Sequence, residues 1–331
     1  MMQVTFDMIK EAKERLEGIS RKTELFYSRT FSEMSGMNVY LKTENRQKTG
    51  AFKVRGAFNK IANLTEEEKK CGVIASSAGN HAQGVALAAR TYGIKATICM
   101  PETAPAAKVS ATKGYGAEVI QHGMVYDDCY AKAVEVQKET GATFVHPFND
   151  PYVIAGQGTI GLEILEELPN ADAIVVPIGG GGIIAGIAIA AKTINPNIKI
   201  IGTQAEIIAS TKASLEAGQP VLVPAAKSLA DGISVRIPGE LTFDIMKNYV
   251  DEVVTVTEEE IEDAIFMLAQ RSKLVVEGAG ATTIAAIMTK KINMPGKNVV
   301  TVLTGGNIDV AVLANIINKG LAKADAAKLE A

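Results

Sequence analysis

Residues 173–191 read AIVVPIGGGGIIAGIAIAA. The stretch carries no charge and has the nominal length of a membrane span. Pro177 and the run Gly179–Gly182 would break such a helix. A short apolar strand (173–177), a glycine loop and a buried helix (183–193) satisfy the same residues without that conflict. The strand–loop–helix unit implies an α/β fold, and the rest of the chain repeats its rhythm. Upstream, strands are expected at 73–76, 95–99, 117–120 and 143–145, with helices at 80–92, 105–114 and 126–139 between them. Downstream, strands are expected at 199–203, 253–256 and 298–303, with helices at 258–272 and 278–291. Gly93, Gly116 and Gly141 stand near helix ends, where a left-handed residue is often required. The Ala- and Lys-rich end, 320–331, reads as a helix tail or a frayed terminus.

With 331 residues, the chain is long enough for two domains. No low-complexity linker separates the two runs of alternating elements. The expected division is therefore discontinuous. Residues 1–60 and 150–331 form a large domain, and 61–149 form a small α/β domain. A net charge of −3 and the absence of Trp leave neither a basic footprint nor stacking platforms, so a nucleic-acid partner is not expected. The N-terminus lacks the apolar core of a signal peptide, and no membrane span is expected. Cys71, Cys99 and Cys129 form no CxxC pair and no even set, which suits reduced thiols in a cytoplasmic protein. His81, His122 and His146 show no zinc spacing, so no metal is expected.

Four runs could carry chemistry. In ENRQKTGAFKVRGA (44–57), Lys53 lies between apolar Phe52 and Val54 and near Lys48 and Arg55. Burial and neighbouring cations favour the neutral amine that a lysine nucleophile needs. On composition alone, an ordinary exposed lysine at a helix start is the better reading. SSAGNHAQG (76–84) follows a strand and opens a helix, where free N–H groups and the helix dipole favour an anion. A Ser or Asn cap explains one of its polar residues but not the whole run. Gly179, Gly180, Gly181 and Gly182 could converge their N–H groups on a phosphate. That run is neither the GxGxxG dinucleotide fingerprint nor a Walker loop, which tells against a nucleotide-binding module. TGGN (304–307) follows the strand NVVTVL. Ser77, Gly179 and Thr304 all stand beyond strand ends, where ligands of open α/β sheets bind. Asp231, in LADGI, suits either a turn or a pocket wall. His146, in HPFNDP, suits a structural role.

Together, in order and spacing, the four runs resemble the fold-type II pyridoxal-phosphate enzymes, related to the tryptophan synthase β-subunit. Within them, the chain is most similar to the serine/threonine dehydratases of the short catabolic type. The resemblance implies two doubly wound α/β domains and a pyridoxal 5′-phosphate cofactor held by Lys53 as a Schiff base. It implies Phe52 against the pyridine ring, Asn80 on the ring hydroxyl, Gly179–Gly182 as the phosphate cup and Thr304 facing the ring nitrogen. Ser77, Gly79, Asn80 and His81 match positions around the substrate carboxylate. Ala51 departs from the serine common before the Phe-Lys pair, which leaves the lysine in place. The implied reaction eliminates water from L-threonine and hydrolyses the resulting enamine to 2-oxobutanoate and ammonia, with L-serine giving pyruvate and ammonia.

Serine racemases share the scaffold and carry a second hydroxyl residue where this chain has Ala78. Alanine cannot donate a proton, so dehydration is expected over racemisation. Racemase-like relatives also bind a divalent metal after the fifth strand of the large domain, where this chain has Gln204, Glu206 and Ser210. No metal requirement is expected. The chain ends soon after TGGN, so a regulatory domain that senses isoleucine is not expected. AMP as an effector and a homodimer or homotetramer rest on the resemblance alone.

Overall fold

The computed structural model describes residues 3–329. It is a mixed α/β protein built on two sheets. Among the described residues, ten strands appear: β1 Leu25–Tyr27, β2 Asn38–Lys42, β3 Val73–Ser76, β4 Ala96–Met100, β5 Glu118–Gln121, β6 Thr143–Phe144, β7 Ala173–Pro177, β8 Lys199–Ala205, β9 Glu252–Val256 and β10 Asn298–Val302. The six-stranded sheet runs β1-β2-β10-β7-β8-β9 and the four-stranded sheet β5-β4-β3-β6. Only the β1–β2 pair is antiparallel.

Both sheets are covered on both faces, which is why central strands such as β3 and β7 are buried along their whole length and read as largely apolar runs. In the small sheet, Ala75 and Ile98 face the helix Asn80–Thr91 through Ala82, Val85 and Ala89. Their neighbours Ile74 and Cys99 face the helix Tyr126–Thr140 through Cys129 and Ala133. In the large sheet, Val175, Ile201 and Val299 pack against Ile261, Ala264 and Ile284 of the helices Glu258–Met267 and Gly278–Met288. Ile174, Val176, Ile200 and Val300 face Ile160, Ile164, Ile184 and Ile187 on the other side. Period-two alternation sends each strand's residues to opposite layers.

Among the elements that differ from expectation, two helices stand out. Residues 151–167 form a long helix, Pro151–Glu167, started by Pro151 with Asp150 capping the amides of Tyr152 and Val153. Its glycines are contact points. A Cβ on Gly156 would overlap Arg55 and Gly56, and one on Gly161 would press on Ile187 and Ala190. The helix expected at 258–272 is α-helical only to Met267 and then widens into a π turn over 268–272, closed by Lys273 in the left-handed region. The terminal helix, Val310–Leu329, takes in residues 320–329; the last two residues lie outside the described chain. Among the described residues, no helix is long and apolar enough to cross a membrane.

A buried ion cluster fastens the helix that Lys53 opens, Lys53–Ala62, to its surroundings. Arg55 is 1% exposed. Its Nε and Nη2 donate to Glu44 at 2.9 and 2.8 Å, and its Nη1 and Nη2 to Glu163 at 2.6 and 2.9 Å. Lys42 Nζ donates to Glu163 at 2.7 Å and to the Thr23 carbonyl at 2.7 Å. Burial opposes the Glu44 charge, but Arg55, with help from Lys42 and Thr23, holds that carboxyl below its ordinary range.

Candidate active site

Lys53 follows an extended Ala51 that bridges Gly305 across the end of β10. The Phe52 amide donates to the Thr304 carbonyl at 3.1 Å, and the Gly306 amide to the Gly50 carbonyl at 2.9 Å. The lysine turn and TGGN are thus stitched together by backbone. Lys53 Nζ donates to the Pro147 carbonyl at 2.7 Å and lies 5.1 Å from the centre of the Phe52 ring. Desolvation pushes its ammonium down to about 8, against the opposing pull of Glu277.

The segment His146–Asp150 joins Lys53 to the glycine loop. A Cβ on Gly180 would overlap the Phe148 ring, and one on Gly182 would meet the Phe148 backbone. Gly181 has φ +94°, in the left-handed region, and starts the helix Gly182–Ile194. Thr242 Oγ1 donates to the Gly180 carbonyl at 2.6 Å. The loop therefore admits no side chain of its own and offers amides at a helix N-terminus. His146 Nδ1 accepts from the amides of Phe148 and Asn149 at 3.3 and 2.8 Å, which shapes this segment. Burial and the nearby Lys53 hold His146 down to about 4.

The SSAGNH run reaches the same crevice from the small sheet. The helix it opens closes on Lys53: a Cβ on Gly84 would stand 3.3 Å from the Lys53 carbonyl. Ser77 Oγ accepts from the Gly79 amide at 3.2 Å, and both residues, with Ala78, are half-exposed. Asn80 Nδ2 donates to Glu277 at 2.8 Å, and Asn80 Oδ1 accepts from Asn307 Nδ2 at 2.8 Å. His81 is buried and spends Nε2 on the Val145 carbonyl at 2.8 Å. Its Nδ1 is buried with no protein partner. Desolvation and Lys53 push it down to about 3, so the ring is neutral. With Nε2 donating, Nδ1 is an acceptor, which suits holding a neutral amine better than a carboxylate.

Thr304 is 3% exposed and its hydroxyl has no protein partner. An unsatisfied buried hydroxyl beside the lysine is costly unless a ligand completes it. Asp231 sits in an exposed turn and pairs with Lys108 at 3.3 Å. Gln204 is committed elsewhere: its Nε2 donates to the Ile178 carbonyl at 3.3 Å and its Oε1 accepts from the Lys212 amide at 3.0 Å. Ser210 donates to the Val235 carbonyl at 2.6 Å. Among the described residues, no cluster of three His, Cys, Asp or Glu could hold a metal.

Glu277, Asn307, Phe148 and Thr242 escaped the sequence argument. Glu277 is 6% exposed, and burial, with the charge of Asp231, pushes its carboxyl up to about 7. The sequence held one signal for it: EGAG (277–280), an acid and two glycines opening an apolar helix. Gly278 lets that helix start touch the Leu229 carbonyl, and Gly280 admits the Thr304 amide.

A lysine biased toward its amine, an aromatic ring beside it, a glycine cradle and an orphan hydroxyl converge beyond the ends of β3, β7 and β10. They fit an aldehyde-bearing aromatic phosphate, and these features define a pyridoxal-phosphate site. The family model for pyridoxal-phosphate dependent enzymes matches residues 16–305, and the chain belongs to that family. It is 55% identical to the L-threonine ammonia-lyase of Thermotoga maritima over 97% of this chain and 80% of that one. It is 49% identical to a catabolic L-threonine dehydratase of Staphylococcus aureus over 98% and 95% of the two chains. The fold also matches the structure of maize serine racemase, with a TM-score of 0.91 and 37% identity over 98% of this chain and 100% of that one. The expected fold class and cofactor both stand.

Proposed function

We propose that the protein is a pyridoxal-phosphate dependent ammonia-lyase that converts L-threonine to 2-oxobutanoate and ammonia, and L-serine to pyruvate and ammonia. The observation that carries this is Lys53, with its amine pushed down to about 8, inside a site whose parts fit that cofactor. The names of the relatives at 49–55% identity support the substrate.

Lys53 would hold the cofactor aldehyde, with Phe52 beside the ring, Asn80 for the ring hydroxyl and Thr304 for the ring nitrogen. Gly179–Gly182 would hold the phosphate. Ser77 and Gly79, with Asn80, receive the substrate carboxylate at the helix start. His81 belongs beside the lysine, as a neutral ring. When bound, the cofactor supplies a conjugated ring that takes up the electron pair left at the substrate Cα. With its amine free, Lys53 would take the Cα proton as general base. Its lowered pKa keeps it able to do so near neutral pH. The Cβ–O bond then breaks, the departing hydroxide takes up a proton equivalent to the one Lys53 removed and leaves as water, and hydrolysis of the enamine product gives the 2-oxo acid and ammonia. Thr304 is uncharged and does not hold a proton on the ring nitrogen as a carboxylate would. That suits elimination, where charge at Cα is short-lived.

Serine racemisation is the second reading, favoured by the maize structure. It needs an acid on the face opposite Lys53, and Ala78 supplies none. Steady-state kinetics on L-threonine and L-serine, with chiral analysis of residual serine, test both. Ammonia and 2-oxo acid with negligible D-serine are expected; abundant D-serine would overturn the assignment.

The finer readings are a large domain of 1–60 with 150–331 and a small domain of 61–149, closing on the crevice between them. We also infer a cytoplasmic homodimer or homotetramer in amino-acid catabolism, independent of divalent metal, with AMP as effector. A threonine saturation curve unmoved by AMP would remove the last.

A further inference from the structure

The amide of Asn80 can present either its N–H group or its carbonyl oxygen to a ligand, and the two orientations have nearly the same shape. We propose that Glu277 is a positioning residue that locks Asn80 with an N–H group toward the oxygen on the cofactor ring. This rests on the role assigned to Asn80 under Proposed function.

The surroundings of Asn80 decide its orientation from both ends. Glu277 Oε1, 2.8 Å from Asn80 Nδ2, accepts a hydrogen bond in either protonation state of the carboxyl. At the other end stands Asn307 Nδ2. It donates to the Thr49 carbonyl at 2.7 Å and to Asn80 Oδ1 at 2.8 Å, so both its hydrogens are spent. Flipping Asn80 would lose both bonds and set oxygen against oxygen and N–H against N–H. One Asn80 N–H goes to Glu277 and the other is left for the ligand.

The backbone is shaped to keep this arrangement. Thr49, whose carbonyl holds Asn307, has φ +61°, rare for a β-branched residue. Gly50, at φ +72°, leaves space for the Asn307 amide: a Cβ there would stand 2.5 Å from Asn307 Oδ1. A Cβ on Gly305 would overlap Glu277 Oε1. The Glu277 amide donates to the Gly305 carbonyl at 2.9 Å. Glu277 precedes its helix yet makes no side-chain cap on it. Its carboxyl is committed to the site.

The test compares rebinding of pyridoxal 5′-phosphate and of 3-deoxypyridoxal 5′-phosphate, which lacks the ring oxygen, to protein stripped of cofactor. Glu277→Ala should weaken binding of the natural cofactor by about tenfold, the scale of one hydrogen bond, and of the deoxy analogue by no more than about twofold. Glu277→Gln, which keeps an acceptor oxygen, should restore most of the loss. Asn307→Ala removes the other clamp and should show the same selectivity, which keeps the test open if Glu277→Ala does not fold. Equal weakening of both ligands, or of neither, by both alanine variants would overturn the proposal. Asn80→Ala separates the two levels. If it too fails to distinguish the ligands, the assignment of Asn80 to the ring oxygen is what has failed.

Discussion

Arg55→Met is the sharpest probe of how the chain holds Lys53 in place. Arg55 is 1% exposed and grips Glu44 and Glu163 with four hydrogen bonds of 2.6–2.9 Å. Lys42, also buried, supplies the second positive charge. The cluster of Lys42, Arg55, Glu44 and Glu163 is neutral. Methionine fills the arginine stem, so little cavity opens, but one negative charge is left without a partner. Removing one member of a buried pair costs about 3–5 kcal/mol, a large share of a typical stability of ~5–15 kcal/mol. Urea unfolding at fixed cofactor concentration, followed by far-ultraviolet circular dichroism, measures it. Arg55→Lys, which keeps the charge but not the forked geometry, should lose less. The unpaired carboxylate of Arg55→Met has a raised pKa in the folded state. The folded variant then binds a proton at a pH where the unfolded chain does not hold one. Its deficit relative to wild type should therefore shrink as pH falls from 8 to about 5.5. A deficit below ~1 kcal/mol, the worth of a solvated pair, or one that grows toward acid, would refute the reasoning.

Other outcomes follow from the site. Attachment of pyridoxal phosphate to the apoprotein needs the Lys53 amine. Its rate should rise with pH through a midpoint near 8, where burial places that ammonium; a midpoint near the ordinary lysine value of 10.5 would contradict it. Gly180→Ala drives a Cβ into the Phe148 ring. About 1–3 kcal/mol of overpacking should weaken cofactor binding roughly 5- to 150-fold, with partial recovery on adding Phe148→Leu. Equilibrium dialysis of the single and double variants checks both parts.

The sequence made the parallel α/β architecture legible because buried strands such as AIVVP and VIAS are continuous apolar runs bounded by glycine. Three of the four site runs were legible because they stand just beyond such strands; the run around Lys53 follows β2. The helix Pro151–Glu167 was not, since it is buried nearly all round and has no polar face to mark its period. Its glycines, which argue against a helix by propensity, are where neighbouring helices approach. Strand β2 was hidden because its last residue, Lys42, is a buried charge held by a partner more than a hundred residues away. Glu277 was hidden for the same reason. Its role depends on Asn80 and Asn307, which pairing across the two sheets' crevice brings to it, and no local pattern records that meeting.

The central claim is that Lys53 both holds the cofactor and moves the Cα proton. Lys53→Ala, loaded with pyridoxal phosphate and treated with borohydride, measures this most directly. The cofactor should remain bound yet be removed entirely by denaturation, with no covalent label on the chain, and 2-oxobutanoate formation from L-threonine should be lost. A covalent label elsewhere, or retained turnover, would contradict the account.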